Sequence, residues 1–283
     1  MKLLRYGPKG QEKPGLLDAD MRIRSLADHV ADIDGALLAT GLDALRTLDP
    51  AALPLVPEAE TARIAEPVAR VGKFLCIGLN YSDHAAEAGM PIPAEPILFT
   101  KATSAIIGPN DDVLLPPTSV KSDWEVELGI VIGKEARYVA LDEAMDHVAG
   151  LCVVNDLSER EYQLERAGSW DKGKGCDTFG PFGPWLVTLD EIADVSALPM
   201  WLDVNGVRMQ TGNTSTMIFD VPYLVHYVSQ FMSLQPGDII STGTPPGVGM
   251  GMKPPVFLKE GDVMTLGIEG LGEQRQRVKR YGE

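Results

Sequence analysis

Between residues 122 and 132 apolar and polar positions alternate: Trp124, Val126, Leu128 and Ile130 fall on one side, Glu125, Glu127, Gly129 and Val131 on the other. A period of two marks a strand with one apolar face. It points Glu125 and Glu127 the same way, with their Cα atoms about 7 Å apart. Similar runs predict strands around residues 1–5 and 15–18, at 73–78, 97–101, 113–115 and 148–154, and a last strand opening at Gly261-Asp262 and running through Ile268. Asn205-Gly206 predicts a tight hairpin turn within 201–209. Helical pieces are expected around 32–40, over 80–89 where Gly89 and Pro91 stop the turn, at 141–147, and from Pro222 through Met232. Ser158-Glu159-Arg160-Glu161 reads as a capping box, so a helix should begin directly after Asp156. Residues 170–181 are too glycine-rich for regular structure and predict a loop carrying Lys172 and Lys174, without the spacing of a phosphate loop. The Pro-broken, acidic stretch 53–60 reads as a linker. It separates a small leading module, residues 1–68, from a catalytic unit, residues 69–283.

Composition narrows the function. With 25 basic and 40 acidic residues in 283, the net charge is −15, which disfavours nucleic acid and anionic membrane as partners and favours small molecules and divalent cations. No apolar run approaches a membrane span and the start lacks the apolar core of a signal peptide, so a cytoplasmic protein is expected. Cys76, Cys152 and Cys176 have no metal-type spacing and are expected as thiols, Cys76 and Cys152 inside apolar runs. Abundant Gly and Pro suit many short strands joined by turns better than a helical bundle.

Candidate chemistry gathers at the central strand. Asp156 stands where the 148–154 run ends, at a sheet edge, within reach of Glu125 and Glu127. Three carboxylates meeting there would repel and take up protons unless a cation held them. An all-oxygen set suits Mg²⁺, Mn²⁺ or Ca²⁺ rather than zinc or copper. Taken alone, Glu-Xaa-Glu on a strand far more often describes a solvated face. His84 and Glu87, three apart on a short helix, share a face, and a carboxylate beside an imidazole orients it as a general base; the same spacing also describes a surface pair. Arg160 and Gln163 follow Asp156 closely, where either could meet an anionic substrate. The hydroxyls and amides of residues 242–249 could hold a carboxylate, and His226 reads as packing.

Together, Asn80-Tyr81 with His84 and Glu87, Glu125-Val126-Glu127-Leu128, Asn155-Asp156, Lys174 before Phe179, Val204-Asn205-Gly206, residues 214–219 and residues 242–249 resemble the fumarylacetoacetate hydrolase family, in order and from about residue 70 onward. The resemblance implies a mixed α/β, strand-rich fold, a β-sandwich roll with a small N-terminal α+β module, usually in a homodimer. It implies Mg²⁺ or Mn²⁺ on Glu125, Glu127 and Asp156, a water-activating dyad of His84 and Glu87 on a lid helix, a catalytic Lys174, and substrate contacts from Tyr81, Arg160, Gln163 and Thr244. Lys172 competes with Lys174 because the loop before Phe179 is longer than in shorter relatives. The implied reaction is hydrolysis of a carbon–carbon bond in a 2,4-dioxo acid. The leading module and long loop resemble the branch acting on 2,4-diketo-3-deoxy sugar acids of rhamnose or fucose breakdown. Oxaloacetate decarboxylation, acylpyruvate hydrolysis and ureidoglycolate cleavage are the enzymatic alternatives, and a metal-binding scaffold the non-enzymatic one.

Overall fold

The computed structural model describes residues 1–57 and 62–282, so residues 58–60 of the expected linker lie outside the described part. At its centre the strands Val126–Ile132 and Val148–Asn155 pair antiparallel, Val126 opposite Asn155 and Ile130 opposite Leu151. Gly180–Thr188 adjoins the second of these and Ile239–Ser241 the first. The sheet continues to Phe74–Gly78 and Ile97–Lys101 at one edge, and to Lys2–Tyr6, Lys13–Leu17 and Ile23–Ser25 at the other. A five-stranded sheet runs in the order Val207–Asn213, Pro199–Val204, Val263–Ile268, Gly272–Arg280, Val113–Leu115. The fold is mixed α/β and strand-rich, as the family resemblance implied.

The central strand keeps its alternation, yet neither side faces water. Leu128 and Ile130 pack with Leu151 and Val153 of their own sheet and with Met200, Leu202, Met264 and Leu266 of the smaller one. On the opposite side Val131, Cys152 and Val154 pack with Leu3, Leu16, Leu38 and Leu45. The first fifty residues therefore supply the cover for the sheet's second face, each large aliphatic side chain contributing about 1.5–3 kcal/mol of burial. At the beginning of the same strand Glu125 and Glu127 are 6% and 2% exposed, so a solvated strand face is ruled out.

Several local expectations change. The chain does not end its strands at Ile268: Gly272–Arg280 follows, its first six residues paired with Val263–Ile268 and its last three with Val113–Leu115. Its alternating charges hid it, because Gln274, Gln276 and Val278 are buried while Glu273, Arg275 and Arg277 are exposed. Leu141–His147 is a 3₁₀ helix, and the apolar helix spans Val221–Ser229 behind an Asp220 cap rather than reaching Met232. The helix after Asp156, Arg160–Leu164, is capped by Glu159, whose carboxylate accepts from the Tyr162 amide at 2.7 Å, in place of a Ser158 capping box. The glycine-rich stretch contains one helical turn, Asp171–Lys174. Gly173 makes this possible, since a Cβ there would stand 2.3 Å from the Glu159 carbonyl oxygen and 2.7 Å from Gln163. The Asn205-Gly206 turn has the two positive φ angles, 53° and 76°, that a tight right-twisted hairpin requires.

Candidate active site

The register of the central pair brings the carboxylates together. Because Val126 lies opposite Asn155, extending the ladder by one residue sets Glu125 opposite Asp156, and the Asp156 amide donates to the Glu125 carbonyl at 2.9 Å. Glu127 follows on the same side of the strand. One oxygen from each of Glu125, Glu127 and Asp156 lies within 4.8 Å of the others, and all three residues are buried. This geometry fits a divalent cation: the donors are hard oxygens, buried, and crowded enough to need positive charge among them.

The chain supplies some of that charge. Lys174 Nζ donates to Glu125 Oε2 at 2.6 Å and to Asp156 Oδ2 at 2.7 Å. Arg160 Nη2 donates to Glu125 Oε1 at 2.7 Å. For Glu125, burial pushes the carboxyl upward, but Lys174 and Arg160 outweigh it and hold the group at about 2. Glu127 behaves oppositely. Burial, with the Asp156 and Glu125 carboxylates beside it, raises it well above its ordinary value of 4.5, although Ser241 Oγ donates to Oε2 at 2.5 Å and the Gly243 amide at 2.9 Å. Two carboxylates on one strand thus stand in opposite protonation environments. Lys174 is itself raised, burial working against it and the two carboxylates overriding.

His84 and Glu87 lie on the helix Ser82–Glu87, with His84 Nδ1 3.0 Å from Glu87 Oε2. A carboxylate only accepts, so in the neutral ring Nδ1 carries the proton and Nε2 is left as a base. Glu87 is held in turn by the Gly247 amide, 3.1 Å from Oε1. Gly247, at φ +102° with Met209 O only 2.0 Å from where a Cβ would sit, is the residue that lets this loop come so close. The amides of residues 242–249, expected to receive a ligand's carboxylate, receive the protein's own: Gly243 binds Glu127, Gly247 binds Glu87, and Gly249 binds Asp123 at 2.7 Å.

A cavity of about 510 Å³ is lined by His84, Glu87, Glu125, Glu127, Arg160, Gln163, Lys174 and Thr244 together with Ile77, Phe99 and Trp170. Tyr81 is not on its wall; it is fully buried, its hydroxyl 3.2 Å from Met200 Sδ in the core. Lys172 points away and donates to the Arg166 carbonyl at 2.8 Å, so of the two lysines Lys174 reaches the carboxylates. Arg160 lines the cavity with its nitrogens engaged on Asp123, Glu125 and Gln163. Thr244 is similarly occupied, donating to Val126 O and accepting from Gln210.

Residues 73–279 match the family model for the fumarylacetoacetate hydrolase C-terminal domain. The chain belongs to the fumarylacetoacetate hydrolase family. A protein of Burkholderia multivorans that carries the provisional name hydrolase is 64% identical over 281 residues, 99% of both chains. Among solved structures, fumarylacetoacetate hydrolase from Exiguobacterium antarcticum is 34% identical with a TM-score of 0.88, covering 99% of both chains. Maleylpyruvate hydrolase from Sphingobium sp. SYK-6, solved with manganese(II) and pyruvate, is 31% identical with a TM-score of 0.82, again over 99% of both.

Two side chains of this fumarylacetoacetate hydrolase-family site escaped sequence reasoning. Lys101, with its side chain fully buried, donates to Asp156 Oδ1 at 2.6 Å and to the Leu157 carbonyl at 2.9 Å. Nothing in its spacing marks it, since it closes an ordinary strand. Asp123, fully buried, accepts from Arg160 Nε at 2.9 Å and from the Gly249 and Met250 amides at 2.7 and 3.0 Å. Its parity with Glu125 and Glu127 was a usable signal.

Proposed function

We propose that this chain is a divalent-metal-dependent hydrolase that cleaves the C3–C4 bond of 2,4-dioxo acids, releasing pyruvate and a second carboxylic acid. The observation that carries the reading is that an imidazole–carboxylate pair lines one cavity together with Glu125 and Glu127, two members of a buried three-carboxylate cluster. Glu125, Glu127 and Asp156 would hold Mg²⁺ or Mn²⁺, which as a Lewis acid would stabilise negative charge on the oxygens of the 2-oxo acid. His84 Nε2 takes a proton from water as its oxygen attacks C4, while Glu87 holds the ring and balances the imidazolium. Collapse of the adduct breaks the C3–C4 bond, the electron pair passing to C3 as the enolate of pyruvate. Lys174 balances that charge or aids protonation at C3. The manganese(II) and pyruvate in the Sphingobium maleylpyruvate hydrolase structure support the same metal and product here.

Within this class the longer loop before Phe179 and the leading module support 2,4-diketo-3-deoxy-L-rhamnonate or L-fuconate as substrate, giving pyruvate and lactate in the cytoplasm, with the protein a homodimer. The test is pyruvate release by metal-stripped protein, with and without Mg²⁺ or Mn²⁺, from sugar-derived diketo acids, acylpyruvates and oxaloacetate. Metal-dependent release from the diketo acids, lowered about 10²–10⁴-fold in His84→Ala, is expected. Preference for oxaloacetate would transfer the site to decarboxylation, and parental rates in His84→Ala would remove the dyad from the mechanism.

A further inference from the structure

The cavity has two chemically different ends. Its inner end holds the carboxylates, Lys174 and Arg160. The rest of the wall carries the apolar side chains Met90, Ile97, Leu164, Trp170, Val248 and Met250, with His84 and Glu87 beside the last two. Met90, Leu164 and Met250 stay 51%, 47% and 39% exposed, apolar surface left open beside a binding cavity. Phe99 marks the change of character: Lys174 Nζ lies 5.0 Å from its ring centroid, and Trp170 meets it edge-on at 5.3 Å. Trp170 is fixed from the other side by Gly78, where a Cβ would approach the indole to 2.6 Å.

Hydrogen-bonding capacity at the apolar end is scarce. Arg160 and Thr244 are engaged by the protein itself. Gln163 accepts from Arg160 Nη1 through its oxygen, which leaves its amide nitrogen and the Trp170 indole N–H as the neutral side-chain donors of this wall among the described residues. Lys253 stands at the mouth but is exposed, and a solvated cation discriminates weakly. A hydroxyl or carboxylate brought against the Trp170 ring face and Ile97 would exchange water for few replacement partners.

We infer that this half of the cavity is a tail subsite selecting 2,4-dioxo acids whose C4 substituent ends in a methyl or short alkyl group, over those ending in hydroxyls or a carboxylate. A 1-hydroxyethyl tail qualifies, offering its methyl to the wall and its single hydroxyl to the Gln163 amide. The inference rests on the proposed reaction for its inner end and adds what reads the outer one.

The experiment measures kcat/KM for Mg²⁺-loaded protein on 2,4-dioxo acids with propyl, 1-hydroxyethyl, trihydroxypropyl and 2-carboxyethyl tails. In parallel, calorimetry follows binding of 2-oxo acids that carry the same tails but lack the C4 carbonyl and cannot be cleaved. The propyl and 1-hydroxyethyl compounds should exceed the other two by about 100-fold, the scale on which apolar pockets discriminate. Trp170→Ala should reduce that ratio below about 10, as should Leu164→Asn, which changes a half-exposed position and keeps the test intact if the tryptophan variant misfolds. Cleavage without tail preference, or a preference for the carboxyethyl tail, would overturn the tail subsite and leave the reaction standing. Tail-selective binding of the inert acids with no cleavage of any dioxo acid would do the reverse.

Discussion

Replacing Lys101 by methionine tests how the carboxylate cluster is held. The ammonium is fully buried, bonded at 2.6 Å to Asp156 Oδ1 and at 2.9 Å to the Leu157 carbonyl. Methionine keeps most of the volume, so cavity formation contributes little and the loss is electrostatic. Removing one partner of a buried pair costs about 3–5 kcal/mol because the other charge is left without compensation. Asp156 retains Lys174 on its second oxygen, which places the expected loss at the low end, about 3 kcal/mol. At this chain length that corresponds to a melting temperature lower by about 5 °C. A divalent cation on the same carboxylates would replace the missing charge, so saturating Mg²⁺ or Mn²⁺ should stabilise Lys101→Met more than it stabilises the parent. Urea denaturation of both proteins, stripped and metal-loaded, measures each quantity. A stripped variant within about 1 kcal/mol of the parent would refute the claim that Lys101 holds Asp156, since breaking a buried pair does not come so cheaply.

The remaining expectations concern protons, the loop and the thiols. Glu127 is raised above 4.5, so its contribution to stability is full below that pH and is lost as pH rises through its folded value; a metal displaces the same proton. Mn²⁺ affinity should therefore fall as pH drops from 8 to 5.5, with proton release visible by calorimetry in buffers of different ionisation enthalpy, and equal affinity without release would contradict this. Glu125, held at about 2, works the other way: its stabilisation is present above 4.5 and is lost as pH falls towards 2. Asp123→Asn keeps the shape but removes the charge that binds Arg160 and two loop amides, and should lower unfolding stability by about 3 kcal/mol, hydrogen bonds to a charged group being worth about 1.5–3 kcal/mol each; a change under about 0.5 kcal/mol would count against a clamp. Burial raises Cys76 well above its usual range, Cys152 to about 12 and Cys176 to about 11, so native protein at pH 7.5 should resist iodoacetamide over minutes, and rapid labelling of any of them would show a thiolate that this environment does not allow.

The sequence by itself determined the central strand and several others, because alternation is a local property, though it did not mark Gly180–Thr188. Glu125 and Glu127 had to share a side once 122–132 was extended, and Asn205-Gly206 had to turn. His84 and Glu87 meet for the same reason, since three residues of helix bring two side chains onto one face. What the pattern could not carry was burial. Whether the glutamates faced water depended on Arg160 and Lys174 closing on Glu125 and on Ser241 and Gly243 closing on Glu127, contacts 35 to 116 positions apart in the chain. Gly272–Arg280 was missed for a related reason: its alternating charges read as surface until the larger sheet, through Val153, Asn155 and Gly183, covers the side that carries Gln274 and Gln276.

Tertiary structure also decided which polar groups face a ligand. Arg160, Thr244 and the loop amides look available in the sequence, but their partners Asp123, Gln210, Glu87 and Glu127 come from other elements and occupy them. Tyr81 went into the core rather than onto the cavity wall, because an aromatic ring gains more from packing at Met200 than a motif position can reveal. Lys101 reached Asp156 across 55 residues of chain. Residue types and local spacing set what chemistry was possible; long-range pairing set the dielectric, the charge balance and the free donors, and those depend on which surfaces the folded chain removes from water.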